Sequence, residues 1–294
     1  MKLLTQEQIS SFPIAHFSPS SIMCLMSDAQ QFYKRYIKLE YSNTKWAAAL
    51  EWTVFHAILA RYRQDVKDKV AKNFLTYTTD VRWEMEGYLE DNDTIYDFKK
   101  TWSLEKSVAS TERALGFYYD SLETLNYDDK IIAVEVWETM TGRDLENNPL
   151  PIPFKGYTDL ILMEWDELTI VDHKLVGKFT TEVSPHYIIQ SCAYFFTFRE
   201  KYWVDPKRAI FDEVKKSKNK DGSPQINRCV VEFTKLNLYI FLEIYARCLR
   251  MLSWQPMFEL GESFILPNPY GIYQDIWWRH DFVEEVKEKY EDVL

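Results

Sequence analysis

The spacing of apolar positions changes four times along this chain, and each change marks a switch between helix and strand. Ala47, Leu50, Val54, Ile58 and Tyr62 recur at helical spacing and predict a helix over Lys45–Val70. Before it, Ser18-Pro19-Ser20-Ser21 offers a capping serine and a proline preset for the first helical position, so a helix is expected from there to about Tyr36. Asn73–Leu125 holds further helical segments, among them Ser103–Leu125, with Trp83, Trp102, Phe117 and Tyr118 expected as anchors. The period then falls to two. Lys130–Thr141 alternates as a half-buried strand does. Gly142 and the prolines Pro149, Pro151 and Pro153 mark a loop, and Phe154–Met163 and Leu168–Leu175 follow as β-rich runs around Glu164-Trp165-Asp166-Glu167, a hairpin pattern. Helical spacing returns after Ser184-Pro185 and runs to about Arg199. Two more strands, Arg208–Val214 and Gln225–Thr234, precede a helix over Leu236–Leu252, a loop-like Gly261–Gln274 and a charged helix over Asp281–Val293. The simplest organisation is one α/β domain over residues 1–294: a mainly helical part (1–128), a sheet core carrying the active site (129–235) and C-terminal helices (236–294).

Chemistry concentrates in the hairpin. If Met163 pairs with Leu168, Asp159 falls opposite Asp172, and like charges at such a separation, about 4.5–5.5 Å between Cβ atoms, repel. A cation is therefore expected between them. Lys174 shares a strand face with Asp172, and His173 points to the other side. The arrangement suits Mg²⁺ or Mn²⁺, since Mg²⁺ takes one or two protein carboxylates and leaves its other positions to water and phosphate oxygens. It also suits an ordinary hairpin with a cross-strand salt bridge, and spacing alone leaves both readings open. Four residues apart on the next helix, Gln190 and Tyr194 share a face. His56 lies inside a predicted helix, where a hydrogen-bonded core histidine is the commoner role, and Glu135 lies inside a strand, where the wet face is usual.

Composition narrows the partners. With 46% hydrophobic and 16% aromatic residues in 294, a sizeable core is expected. Lys+Arg 35 against Asp+Glu 45 gives a formal charge of −10, which excludes wrapping of nucleic acid by a uniformly basic surface and leaves room for a local basic groove. Candidates for such contacts are Lys34 and Arg35 in FYKRYI, and Lys215, Lys216, Lys218 and Lys220 in KKSKNKDGSP; the latter suits either a solvated hairpin tip or a phosphate-contacting arm. Cys24, Cys192, Cys229 and Cys248 form no CxxC, so neither a zinc ribbon nor a disulfide framework is signalled. No run approaches the roughly 20 apolar residues of a membrane span, and the start carries no signal-peptide core; a cytoplasmic setting is expected, in a bacterial or phage-infected cell.

His56, Glu135, Gly156-Tyr157-Thr158-Asp159, Asp172-His173-Lys174 and Gln190-Ser191-Cys192-Ala193-Tyr194 follow one another in an order that resembles the PD-(D/E)XK nucleases. The likeness is to the RecB-like nuclease domain shared with AddB and CRISPR-associated adaptation exonucleases. D-x-K alone carries little weight; the ordered set is far more specific. The resemblance implies a restriction-endonuclease-like fold, with a mixed central sheet flanked by helices and an N-terminal helical segment. It implies that Asp159, Asp172, the backbone carbonyl of His173 and the His56 ring bind Mg²⁺ or Mn²⁺, and that Lys174 orients or deprotonates the attacking water. It further implies that Gln190 and Tyr194 steady the lysine and contact the nucleic-acid backbone, and that Glu135 is the acidic residue of the first core strand. The sequence departs from the pattern in three places. Relatives that bind an iron–sulfur cluster have a cysteine where Asp28 stands and three more near the end, where Pro267–Arg279 has none, so no cluster is expected and Cys24 and Cys248 read as buried helix residues. Trp52 stands four residues before His56, where relatives usually have glycine.

A metal-dependent DNA nuclease acting on ends or single strands is the function so implied. A non-catalytic DNA-end-binding module that keeps the fold is the alternative, with a structural or assembly protein behind it. No GxxxxGK[ST] phosphate loop is present, so a helicase or recombinase would be a separate partner.

Overall fold

A computed structural model describes residues 12–40, 42, 44–90, 94–98, 102–140, 142–253 and 280–293, with the side chains of 137–140 and 280–281 excepted. In chain order the elements are α1 (Pro19–Ser27), α2 (Ala29–Phe32) running into a π-helical turn (Tyr33–Ile37), β1 (Thr44–Trp46), α3 (Ala47–Lys67), α4 (Leu75–Thr78), α5 (Val81–Glu90), β2 (Ile95–Asp97), α6 (Leu104–Asp120) and α7 (Leu122–Leu125). After a 3₁₀ turn come β3 (Ile131–Met140), β4 (Phe154–Glu164), β5 (Glu167–Val176), α8 (Pro185–Tyr202), β6 (Pro206–Lys215), β7 (Ile226–Glu232), α9 (Lys235–Ser253) and α10 (His280–Lys289). The expected loop Gly261–Gln274 and the cysteine-free segment Pro267–Arg279 lie outside the described residues. No helix among those described is long and apolar enough to cross a membrane.

The central sheet is mixed, in the order β3-β4-β5-β6-β7, with β5 and β6 parallel and the other pairs antiparallel. A separate two-stranded pair, β1 and β2, is parallel. Helices cover both sheet faces. On one, α1, α8 and α9 pack against Phe154, Ile161, Ile170 and Phe211; on the other, α3, α5 and α6 pack against Leu160, Leu162, Val171 and Ile210. Neighbouring positions on a strand therefore belong to different cores, as a period-two sheet buried on both sides requires.

The start of α1 has the expected cap made reciprocal: Ser18 Oγ accepts from the Ser21 backbone N–H at 3.1 Å, and Ser21 Oγ accepts from that of Ser18 at 2.8 Å. The helix does not continue to Tyr36 unbroken. Asp28 turns extended, with φ −150°, and its carboxylate accepts from the Gln31 N–H, so the residue ends one helix and caps the next. Lys45, expected in a helix, is in β1, and β2 interrupts the stretch expected to hold helical segments. Of the four expected anchors only Tyr118 is fully buried; Trp83 is 71% exposed, Trp102 is exposed and Phe117 half-buried. Trp83 lies on the outer face of a short amphipathic helix whose inner face is carried by Val81 and Met85, and an aromatic ring by itself does not say which face it occupies. Cys24 is half-buried and Cys248 buried.

Candidate active site

The hairpin forms with Met163 opposite Leu168 and Glu164 opposite Glu167. Its two-residue turn, Trp165-Asp166, has φ of 51° and 63°, the left-handed pair whose twist matches a hairpin. The ladder then stops at Leu160–Val171, one rung short of Asp159 and Asp172. The strands part there, and the Asp159 carboxylate turns into the gap to accept the His173 backbone N–H at 2.5 Å. A side chain thus replaces the missing backbone acceptor, and the carboxylate is held by a strand instead of a loop.

Two oxygens and one ring nitrogen converge at this opening. The His56 Nε2 lies 2.8 Å from the His173 carbonyl oxygen and 3.5 Å from Asp159 Oδ2, while its Nδ1 lies 2.8 Å from the Trp52 carbonyl oxygen. Both ring nitrogens face oxygen, which either a doubly protonated ring or a cation at Nε2 satisfies. Burial works against a charged His56, but Asp159 outweighs it and raises the histidine pKa. Asp159 is correspondingly held low: burial would raise it, and the His56 and His173 rings and the His173 N–H overcome that.

Asp172 lies on the α8 side. Lys174 Nζ is 2.5 Å from its Oδ1, and Gln190 Nε2 donates to its Oδ2 at 2.6 Å. Gln190 Nε2 also lies 2.9 Å from the Tyr194 hydroxyl, which donates in turn to the Tyr157 carbonyl. The Ser184 cap and Pro185 start α8 at a point that brings this polar pair under β4 and β5. Burial nonetheless pushes the Asp172 carboxyl up, with Asp159 adding to it, so Lys174 alone does not compensate the paired carboxylates. Hard oxygen donors short of positive charge are the donor chemistry of a divalent cation. Among the described residues no three His, Cys, Asp or Glu side chains form a ready-made metal cage, and the His173 backbone oxygen faces the same His56 nitrogen as Asp159 does.

Glu135 reaches the site by backbone distortion. Its φ of 46° is left-handed for a non-glycine residue, and it separates Val134, packed in the α3-side core, from Val136, in the α8-side core. Two residues that regular alternation would place on one face are thereby split, and Glu135 comes to line the same cavity as His56 and Tyr157. Burial raises its carboxyl pKa, a Tyr157 hydrogen bond opposing this.

Two buried networks support the cluster and were not singled out from sequence. Glu213, paired with Lys174 across β5 and β6, accepts from the Thr180 N–H, the Thr180 and Tyr187 hydroxyls and Asn227 Nδ2, at 3.0, 3.0, 2.8 and 3.0 Å. It thereby ties the β5–α8 connection to the sheet, and Tyr187 stacks on Phe211 with ring centroids 4.2 Å apart. On the opposite face the His173 Nε2 meets the Tyr118 hydroxyl at 3.2 Å, Tyr118 accepts from Arg63, and Asp212 takes Tyr127 and Arg228. Burial holds the His173 ring pKa down to about 4, so that ring is neutral at physiological pH. Both Glu213 and Asp212 sit in the β6 run with no motif around them; only the pairing of β6 with β5 marks them.

The lysines and arginine proposed for nucleic acid are dispersed. Lys34 and Arg35 occupy the π-helical turn, Arg35 5.6 Å from the Tyr36 ring. Lys215 bonds Asn219, and Lys216 pairs at 2.8 Å with Glu51, a carboxylate 1% exposed that also receives Trp102, Ser107 and Ser110. Lys218 and Lys220 are exposed in the loop between β6 and β7.

A model of the PD-(D/E)XK nuclease superfamily matches residues 16–251. No curated protein matches the chain. Among solved structures it is similar to a candidate exonuclease from Eubacterium rectale, at 14% identity and TM-score 0.47, covering 91% of this chain and 89% of that one. It is also similar to LHK-Exo in complex with dAMP, at 11% identity and TM-score 0.34, covering 83% of this chain and all of that one.

Proposed function

The chain belongs to the PD-(D/E)XK nuclease superfamily, and on that premise we propose that it is a Mg²⁺- or Mn²⁺-dependent deoxyribonuclease of the RecB-like branch that hydrolyses phosphodiester bonds at DNA ends or in single strands. One observation carries the reading: Asp159, the His173 carbonyl and His56 Nε2 converge beside Asp172, whose own charge Lys174 and Gln190 only partly satisfy. These groups would hold the ion. When bound, it lowers the pKa of a water and neutralises charge on the scissile phosphate. Lys174 supplies an ammonium at the edge of the carboxylate pair, to orient the attacking water and stabilise the phosphate oxygens. Gln190 and Tyr194 fix Asp172 and the β4 backbone against which Lys174 works, and Glu135 borders the cleft through which the strand enters. Lys218 and Lys220, with Lys34, Arg35 and Lys215, are the proposed backbone contacts, and Lys216 acts chiefly through Glu51. A helicase or recombinase that opens or delivers ends would be a separate chain, in recombination, repair or phage and defence DNA processing.

End-labelled linear DNA and covalently closed circles, single- and double-stranded, are incubated with Mg²⁺, Mn²⁺ or EDTA, with Asp172→Ala in parallel. Metal-dependent loss of label from linear substrates, absent in Asp172→Ala, is expected. Binding without cleavage under every condition would sink the enzyme reading and leave an end-binding module.

A further inference from the structure

Next to the carboxylate cluster is a cavity of about 690 Å³ whose wall includes Trp52, Tyr88, Tyr157, His56 and Glu135. Its volume lies in the roughly 300–1,000 Å³ range of small-ligand sites. The Trp52 ring covers the His56 imidazole, centroids 4.1 Å apart at 36°, yet the residue is 44% exposed; Tyr157 is 43% exposed. Large aromatics left this open beside a buried charged cluster are not there for the core, which α3 forms with Leu50, Val54 and Ile58. The guanidinium lining the same cavity, Arg61, is held by Glu84 at 2.7 Å and Asp80 at 3.1 Å. With that cation paired to two carboxylates and Glu135 close by, the cavity is poorly suited to phosphate and well suited to an uncharged planar group.

We propose that Trp52, flanked by Tyr157, is a stacking platform for one unpaired nucleobase adjoining the scissile phosphate, so that the site selects single strands and frayed ends over closed duplex. The proposal rests on the nuclease reading for its substrate and names what that reading leaves open. A base within a duplex has both faces covered by its neighbours; an unpaired base has a face to offer, and an aromatic side chain accepts any of the four. The same helical turn fixes platform and site, because the Trp52 carbonyl lies 2.8 Å from His56 Nδ1 while His56 Nε2 faces the His173 oxygen. A base resting on the indole is thus set at a constant distance from the carboxylates, with its phosphate free to lie over them.

The test measures binding of the full chain to a short labelled oligothymidylate in Ca²⁺, with EDTA as control, while a single abasic residue is moved along the strand. At one position near the end the missing base is expected to weaken wild-type binding about tenfold, and to matter less than about twofold in Trp52→Ala. A 2-aminopurine at that position should be quenched by wild type and not by the variant; closed duplex should bind both alike. Trp52→Leu fills the space without a π-face and serves if Trp52→Ala does not fold. Equal abasic penalties in wild type and variant, or no quenching by wild type at any position, overturn the platform. Cleavage in Mg²⁺ is scored separately. Cleavage without a base effect at Trp52 removes this proposal and leaves the nuclease; a base effect without cleavage does the reverse.

Discussion

Gly156 is the position where one added methyl group should be felt furthest. Its φ is not left-handed, so backbone freedom does not explain the glycine. A Cβ built there would lie 2.6 Å from Tyr194 Cε1 and 3.2 Å from Cδ1. Ordinary carbon contacts are about 3.5–4.0 Å, so the ring must retreat by about 1 Å. It has little freedom to do so, being 4% exposed, with its hydroxyl tied to Gln190 and to the Tyr157 carbonyl. Gly156→Ala is therefore expected to cost about 1–3 kcal/mol through overpacking. In a Tyr194→Leu background the ring edge is gone, and alanine should instead gain about 0.5–1 kcal/mol over glycine in a strand. The cycle should show a coupling of about 1.5–4 kcal/mol, toward the upper end for residues in contact. Urea unfolding of the four proteins, followed by circular dichroism, measures it. Gly156→Ala as stable as wild type, or equally destabilising in both backgrounds, would refute the claim that the glycine exists to admit the Tyr194 ring.

Metal should stabilise the fold through the carboxylate pair. At about a hundredfold excess over its dissociation constant Mn²⁺ should add about 2.7 kcal/mol, a rise of several degrees in melting temperature, reversed by EDTA and lost in Asp172→Asn. A thermal shift unchanged by that substitution would place the ion elsewhere. Glu213→Gln keeps the shape of a group whose partners all donate, but leaves the Thr180 N–H or hydroxyl facing an amide NH₂; a stability loss of about 1–3 kcal/mol is expected. Because Glu213 ties down the β5–α8 connection behind Lys174, kcat should fall more than KM changes, with Glu213→Asp restoring part of it. An unaltered kcat in a folded Glu213→Gln would limit the residue to stability.

The hairpin was legible because its information is local. Alternation set the strand faces, the four residues Glu164–Glu167 set the register, and the register put Asp172 and Lys174 together on one side with His173 on the other. The caps at Ser18 and Ser184 were legible for the same reason. What failed locally was what depends on a partner out of sequence. Trp83 has no neighbour in sequence that says which face it takes. The break at Asp28, by contrast, is local, set by its extended backbone and by its carboxylate capping Gln31.

The sequence by itself therefore determined the five strands of the central sheet, the polar residues placed inside apolar runs and the nuclease family those residues resemble, since all of these are spacings along one chain. Only the tertiary structure decided that β4 and β5 part at Asp159, that the left-handed Glu135 splits two faces of β3, and that β6 lies parallel to β5 and delivers Asp212 and Glu213 beneath the site. The same holds for Trp52, an unexpected residue in a helix pattern, which becomes a candidate platform once packing lays its ring over His56 and leaves it open to a cavity. Such features depend on which distant backbone supplies or withholds a hydrogen bond or a packing surface, and that is settled only when the layers close.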